Sequence, residues 1–230
     1  MNIILSAIAP VLVIILYVYI QDKYEKEPKK LLFACFLMGA FLSIMITLFI
    51  SLVTGYLFEL PNQYSIFQNF IKAFVVVALV EEFSKYIFVR YYAQPKAAFN
   101  EPYDGIIYAV MVSMGFAATE NILYVSTGGF EVALLRAFTA VPAHATFGIL
   151  MGFYMGKAKF DIKNKKLLNL TGLLLAVFFH GAYDFFLFIN FIPGISIGAF
   201  VSLTVAIILS KKAIKSHQNK SQFKQNSKPL

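Results

Sequence analysis

The sequence predicts an all-α, polytopic membrane bundle of about seven transmembrane helices. Hydrophobic residues make up 59% of the 230-residue chain and charged residues only 14%, too few to cover the surface of a soluble domain of this size. Several apolar runs reach the roughly 20 residues that a helix needs to cross a bilayer. Residues 1–20 lack a basic start and a following small-residue cleavage site. They are therefore interpreted as the first span rather than as a removable signal peptide.

Apolar segments separated by short polar connections mark the individual helices. The second segment is long enough to cross the membrane with a tilt. The predicted spans are 1–20, 31–58, 66–92, 105–125, 132–156, 167–190 and 195–210. Residues 1–210 therefore form a single transmembrane domain, and the basic, polar composition of residues 211–230 predicts a disordered tail.

Connections that contain lysine or arginine alternate along the chain with connections that contain neither. This alternation predicts the topology. Basic residues occupy the first, third and fifth connections and the tail, whereas 59–65, 126–131 and 190–194 have none. The positive-inside rule then places the N-terminus outside and the C-terminus in the cytoplasm. The net charge of +8 is explained by topology and by contact with membrane lipid, and it does not indicate a nucleic-acid partner. The single cysteine, Cys35, excludes an intramolecular disulfide and a cysteine-based metal site.

Ionisable side chains inside the predicted spans are few and lie at similar depth. They are Glu81, Glu82 and Lys85 in span three, Glu120 in span four, His144 in span five, and His180 and Asp184 in span six. The polar residue Asn121 follows Glu120 in span four. At about 1.5 Å per residue, Glu81, Glu120, His144, His180 and Asp184 fall between the bilayer midplane and the outer surface, whereas Lys85 lies nearer the inner half. Because each is costly against lipid, we expect them to converge on one interior cavity. Lys72 and Arg136, nearer the span ends, are expected to snorkel.

Helical spacing pairs several of these side chains. Lys85 follows Glu81 by four residues and Glu82 by three, so it can pair with either carboxylate. Asp184 follows His180 by four residues and can orient the imidazole ring. Two adjacent glutamates cannot both be ionised cheaply in a low-dielectric site, so one is expected to accept a proton. A glutamate that activates water beside histidines is typical of a hydrolase, while hydrogen bonding between helices is the structural alternative for each residue.

Four segments resemble the successive motifs of a known family. They read EEFSK (81–85), FAATEN (116–121), HATFG (144–148) and HGAYD (180–184), and DGIIYA precedes the second. Over about residues 75–190 the chain is similar to the PrsW family of membrane proteases. That family belongs with the type II CAAX prenyl endopeptidases and bacterial Abi proteins. Glu120 stands where CAAX proteases usually have a histidine, which argues against prenyl-protein processing.

The resemblance implies a site assembled from four helices. The implied catalytic residues are Glu81, Glu82, Glu120, His144 and His180. The implied ligands of a Zn²⁺ ion are Glu82, Glu120, His144 and His180, and the supporting residues are Lys85, Asn121 and Asp184. Related enzymes have been argued to use glutamate and histidine alone, so a metal-free mechanism stays open, as does the choice of Glu81 or Glu82 as the base.

The resemblance also implies an activity and a location. A multi-pass protein of the bacterial cell membrane would make the first (site-1) cut in a single-pass membrane protein such as an anti-sigma factor. This cut begins the regulated intramembrane proteolysis that activates a sigma factor in a stress response. Two alternatives remain. One is a proton-coupled transporter, because intramembrane carboxylates and histidines also form proton relays; the other is a non-catalytic membrane partner on the same scaffold.

Overall fold

A computed structural model describes residues 3–57 and 60–225, and the regular secondary structure within them is helical throughout. The long helices are α1 (Ile3–Gln21), α2 (Lys29–Leu57), α3 (66–93), α4 (Pro102–Phe138), α5 (Ala140–Phe160), α6 (Lys165–Phe188) and α7 (Ile197–Lys220). The structure confirms the predicted all-α membrane bundle. The edges of the predicted first two spans and of the tail (residues 1, 2, 58 and 226–230) lie outside the described residues, as does residue 59.

Five helical stretches of the described chain are long and apolar enough to cross a membrane. They are Ile4–Gln21, Lys29–Leu57, Pro102–Phe160, Lys165–Phe188 and Ile197–Lys220. The stretch Pro102–Phe160 contains α4 and α5, which pack against each other as an antiparallel pair. Helix α3 is not among the five because charged side chains such as Glu81, Glu82 and Lys85 interrupt its apolar sequence. Seven spans and the orientation of the termini remain predictions.

Helix α4 is the centre of the bundle. Its residues from Tyr103 to Ala118 are all buried, and α1, α2 and α5 pack around it. Gly105 of α4 meets Gly152 of α5 so closely that a Cβ on either would overlap the backbone of the other. Small residues permit such direct backbone contact between membrane helices, and glycines recur every four residues along α5 at Gly148, Gly152 and Gly156. The contact fixes the register in which α5 presents its polar residues to α4.

Two local departures from α-helical geometry shape the site. Gly129 has φ 69° and ψ −160° inside α4, a conformation in the left-handed half of the map that favours glycine. The chain reverses there, so residues 130–138 return along the end of α4. In α3, a π-helical segment, Lys72–Ala78, ends three residues before Glu81. Such turns are frequent at functional sites because the extra residue rotates the side chains that follow.

The C-terminal helix is longer than the sequence predicts. The last span was expected to end at residue 210 and residues 211–230 to be disordered, but α7 continues through Lys220 and a 3₁₀ turn follows at Gln222–Gln225. Ala213, Ile214 and His217 are buried, and His217 Nε2 donates to the carbonyl oxygen of Phe153 across 2.9 Å. Packing against α5 extends the helix beyond its apolar run, which corrects the expectation of disorder for 211–220.

Candidate active site

A cavity of about 500 Å³ opens between α3, α4, α5 and α6. Its polar lining includes Glu81, Glu120, His144, His180 and Asp184. Its apolar lining includes Val77, Leu135, Phe147, Leu187, Phe188 and Phe200. Apolar walls with a few convergent polar groups are typical of ligand and substrate sites. Four helices thus contribute polar groups to one cavity, as their similar depth in the sequence predicts.

Glu82 lies buried behind this cavity and forms a hydrogen bond with His180, which lines it. His180 Nδ1 donates to Glu82 Oε1 across 2.8 Å, and Lys85 Nζ donates to the same oxygen across 2.7 Å. The second ring nitrogen of His180 faces Asp184 Oδ2 at 3.3 Å, the pairing that the four-residue spacing predicts. Phe147 stacks on the imidazole at 4.9 Å between ring centres. The His180 ring is therefore held at both nitrogens and on one face.

Glu81 faces the cavity, whereas Glu82 is fully buried and does not line it. Glu81 Oε2 has no hydrogen-bond partner among the described residues. It lies 3.5 Å from Lys85 Nζ and 4.0 Å from His180 Nε2. Glu81 is 9% exposed and lines the cavity, whereas Glu82 is 0% exposed, so the Glu81 carboxylate is the one placed to meet a water molecule there. Glu82 Oε1 is instead committed to two donors.

The Lys85 ammonium places positive charge at the centre of the cluster. Its Nζ atom contacts Glu82 Oε1 at 2.7 Å, Glu81 Oε2 at 3.5 Å and His144 Nδ1 at 3.3 Å. The same atom lies 4.1 Å from the ring centre of Phe116, in cation–π geometry. Lys85 is 1% exposed. Its charge therefore compensates two adjacent carboxylates that have lost most of their hydration.

Glu120 and His144 form the other side of the cluster. His144 Nε2 donates to Glu120 Oε2 across 2.8 Å, which leaves Nδ1 to accept from Lys85. Arg136 donates to the same Glu120 oxygen across 2.7 Å and, through Nε, to Asn121 Oδ1 across 2.6 Å. The Arg136 guanidinium therefore balances the charge of Glu120, and the neutral His144 imidazole adds a hydrogen bond.

Arg136 is a residue of this site that the sequence analysis missed. Its position near a predicted span end indicated a snorkelling side chain, but the reversal at Gly129 turns it back onto α4. The signal in the sequence is that Glu120 and Arg136 lie near the same end of two successive antiparallel spans. Asn121 also connects elsewhere, because its amide donates to the carbonyl oxygen of Ala7 across 2.7 Å and so joins α1 to the site.

Four side chains each place one donor atom within 4.8 Å of the others: Glu81, Glu82, His144 and His180. A mixed carboxylate and imidazole set suits Zn²⁺, and Oε2 of both glutamates is buried without a hydrogen-bond partner among the described residues. These residues therefore fit a metal ion, with the Lys85 ammonium beside three of the four. Glu120, an implied ligand, is outside this group and is bound by Arg136 and His144.

Comparison with known proteins gives consistent matches over most of the chain. The chain is 39% identical over 186 residues to "Protease PrsW" of Geobacillus kaustophilus, and the aligned region covers 81% of this chain and 80% of that relative. It is 41% identical over 188 residues to "Protease PrsW" of Oceanobacillus iheyensis, covering 81% and 83%. For "Protease PrsW" of Bacillus subtilis the identity is 38% over 186 residues, covering 80% and 82%. No solved structure gives a significant match.

A family model described as "PrsW family intramembrane metalloprotease" matches residues 27–222. The match includes all four sequence motifs and every residue of the cavity described above. The apolar helices agree with a multi-pass protein of the bacterial membrane. The chain therefore belongs to the PrsW family and is an intramembrane protease.

Proposed function

We propose that this protease makes a site-1 cut in a single-pass membrane protein and that Glu81 is the base that activates the attacking water. The observation that carries this assignment is the Glu81 carboxylate facing the cavity beside His180, with Oε2 free of hydrogen-bond partners among the described residues. General-base catalysis requires a positioned acceptor with access to water. Glu81 meets this requirement better than Glu82.

The neighbouring side chains have distinct roles in this mechanism. Glu81 takes a proton from water as the oxygen attacks the peptide carbonyl, and it gives this proton to the leaving amine as the C–N bond breaks. Lys85 keeps its charge beside Glu81 and Glu82 and offsets the negative charge that develops. Glu82 orients His180 through Nδ1, and Nε2 exchanges its contact with Asp184 for a hydrogen bond to the reacting carbonyl oxygen or to the leaving amine.

Three of these side chains suit the role of zinc ligands. Glu82, His144 and His180 would be the three ligands, which matches the three protein ligands usual in catalytic zinc sites and leaves Glu81 as the base. A bound Zn²⁺ would supply Lewis-acid polarisation of the scissile carbonyl. Because the Lys85 ammonium lies near these donors, binding of the ion and the position of Lys85 are coupled.

An anti-sigma factor is the proposed substrate class. The support is the family membership together with the predicted topology, which places the cavity between the midplane and the extracytoplasmic surface. The apolar walls formed by Leu187, Phe188 and Phe200 suit a membrane-embedded or juxtamembrane segment better than a soluble peptide.

Cleavage by purified protein in proteoliposomes tests the assignment. The measurement is the rate of fragment formation from a candidate anti-sigma factor, with the cut located by mass spectrometry. Glu81→Gln should reduce the rate by about 100-fold or more. Glu131→Gln makes the same chemical change at an exposed position and should cleave at the parent rate. Parent-level cleavage by Glu81→Gln would contradict the role of Glu81.

A further inference from the structure

A second group of carboxylates lies at the start of α4, around the connection between α1 and α2. Its members are Asp22, Glu25, Glu27, Glu101 and Asp104. All except Glu25 are at most 2% exposed. Asp104 precedes Glu120 by 16 residues, which is about 24 Å along a helix, so this group is separate from the candidate active site. The lysine distribution predicts that it lies on the cytoplasmic side.

Three of these carboxylates share one arrangement, in which one oxygen is anchored and the other is not. Asn100 Nδ2 donates to Glu25 Oε1 across 3.0 Å, and the Tyr108 hydroxyl donates to Glu27 Oε2. Backbone N–H groups of Asn100 and Glu101 donate to Asp104 Oδ2 across 2.6 and 2.8 Å. The remaining oxygens are buried without a hydrogen-bond partner among the described residues: Glu25 Oε2, Glu27 Oε1 and Asp104 Oδ1.

The chain supplies little positive charge to this group. Within residues 3–57 and 60–225, none of the five carboxylates forms a salt bridge with a lysine or arginine side chain. Lys26 donates instead to the backbone carbonyl oxygens of Tyr19 and Asp22. Ionised carboxylates here therefore require a cation from solution.

We infer that Glu25, Glu27 and Asp104 bind one hard divalent cation of the Mg²⁺ or Ca²⁺ type. One donor atom from each lies within 4.8 Å of the others, and oxygens on opposite sides of such an ion are roughly 4 to 5 Å apart. Carboxylate and phenolic groups form an all-oxygen environment, which hard cations prefer and Zn²⁺ does not require. The anchored oxygens hold each side chain in place, as outer hydrogen bonds do around known metal sites.

The cation would join two parts of the chain that otherwise meet through few bonds. Glu25 and Glu27 belong to the connection between α1 and α2, and Asp104 belongs to the first turn of α4. The alternative arrangement is a proton shared between Glu27 and Asp104, which would satisfy two of the three free oxygens without any metal. The two arrangements differ in whether the protein binds a divalent ion.

Titration of the purified, detergent-solubilised protein with Mn²⁺ distinguishes them. Mn²⁺ serves as the hard-cation probe, and electron paramagnetic resonance measures the free ion. The parent should bind Mn²⁺ in competition with Mg²⁺ or Ca²⁺, and the competing ion of higher affinity identifies the natural occupant. Glu27→Gln keeps the side-chain shape and should weaken binding by at least tenfold. The matched change at an exposed site, Glu131→Gln, should leave the affinity unchanged.

Two further variants make the result decisive. Glu25→Gln alters the least buried ligand and gives the same test if Glu27→Gln does not fold. His180→Ala removes an active-site donor and should leave this Mn²⁺ affinity unchanged, so a failure of the proposed protease mechanism would not affect the result. Equal Mn²⁺ affinity in the parent, Glu25→Gln and Glu27→Gln would overturn the inference and favour the shared proton.

Discussion

Two groups of buried carboxylates lie near opposite ends of α4, and they are neutralised in different ways. Near Glu120, the cluster contains Lys85, Arg136 and two histidines, each within 4.0 Å of a carboxylate oxygen. Near Asp104, the carboxylates have backbone, amide and hydroxyl donors but no salt bridge to lysine or arginine among the described residues. The cluster near Glu120 therefore contains its own positive charges, whereas the carboxylates near Asp104 depend on a cation from solution.

The difference matters because the cost of burying a carboxylate depends on its partners. A buried pair loses several kcal/mol when one partner is removed, since the other charge is left unpaired. A carboxylate held only by neutral donors depends on each hydrogen bond instead. Substitutions at the two ends of α4 should therefore differ in how much they lower the free energy of unfolding. Three comparisons test this difference.

The largest effect is expected for Lys85→Met. The change keeps a long apolar side chain but leaves Glu81 and Glu82 without their ammonium, so the free energy of unfolding should fall by about 3 to 5 kcal/mol. Unfolding in mixed micelles with increasing SDS measures it. Lys30→Met, at an exposed lysine near the start of α2, is the control and should change stability by less than about 0.5 kcal/mol. Equal stability of the two variants would show that Lys85 does not compensate the glutamates.

A smaller effect is expected for Tyr108→Phe at the other cluster. Loss of the hydroxyl leaves Glu27 Oε2 without its donor and should cost about 1 to 3 kcal/mol in the presence of EDTA. The same SDS titration measures it, with Tyr56→Phe as the control because Tyr56 is 85% exposed. A loss as large as that of Lys85→Met would remove the distinction between the two clusters.

The smallest effect is expected for the coupling between Glu120 and Arg136. Both side chains are partly accessible, at 18% and 12%, so water screens the pair. A double-mutant cycle with Glu120→Gln and Arg136→Gln should give a coupling energy of about 1 kcal/mol. Additive effects of the two substitutions would mean that Arg136 acts on Asn121 alone.

The sequence could predict the convergence at the first cluster but not the second. Glu81, Glu82, His144 and His180 lie within apolar spans, where an ionisable side chain is costly and must find partners. Glu27 lies in a short polar connection, where a carboxylate is ordinarily solvated. Its burial results from packing of that connection against α4, which no local pattern of the sequence reveals.

Tertiary packing also explains the other departures from prediction. Arg136 looked like a span-end residue because the reversal at Gly129 has no signature beyond a pair of glycines. The end of α7 looked polar because His217 and its neighbours are hydrophobic on only one face, which α5 covers. In both cases the composition predicts a helix. The contacts of the residue could be predicted only by knowing which helix packs against it.

The turn at Gly129 gives the length of the 120–136 segment a functional meaning. Each residue added to a helix rotates the following side chains by about 100° around the axis. One extra residue between Gly129 and Arg136 would carry the guanidinium away from Glu120 even though every residue of the cavity remained in the chain. Natural relatives that vary in loop length here should therefore also vary in the cation that pairs with this glutamate.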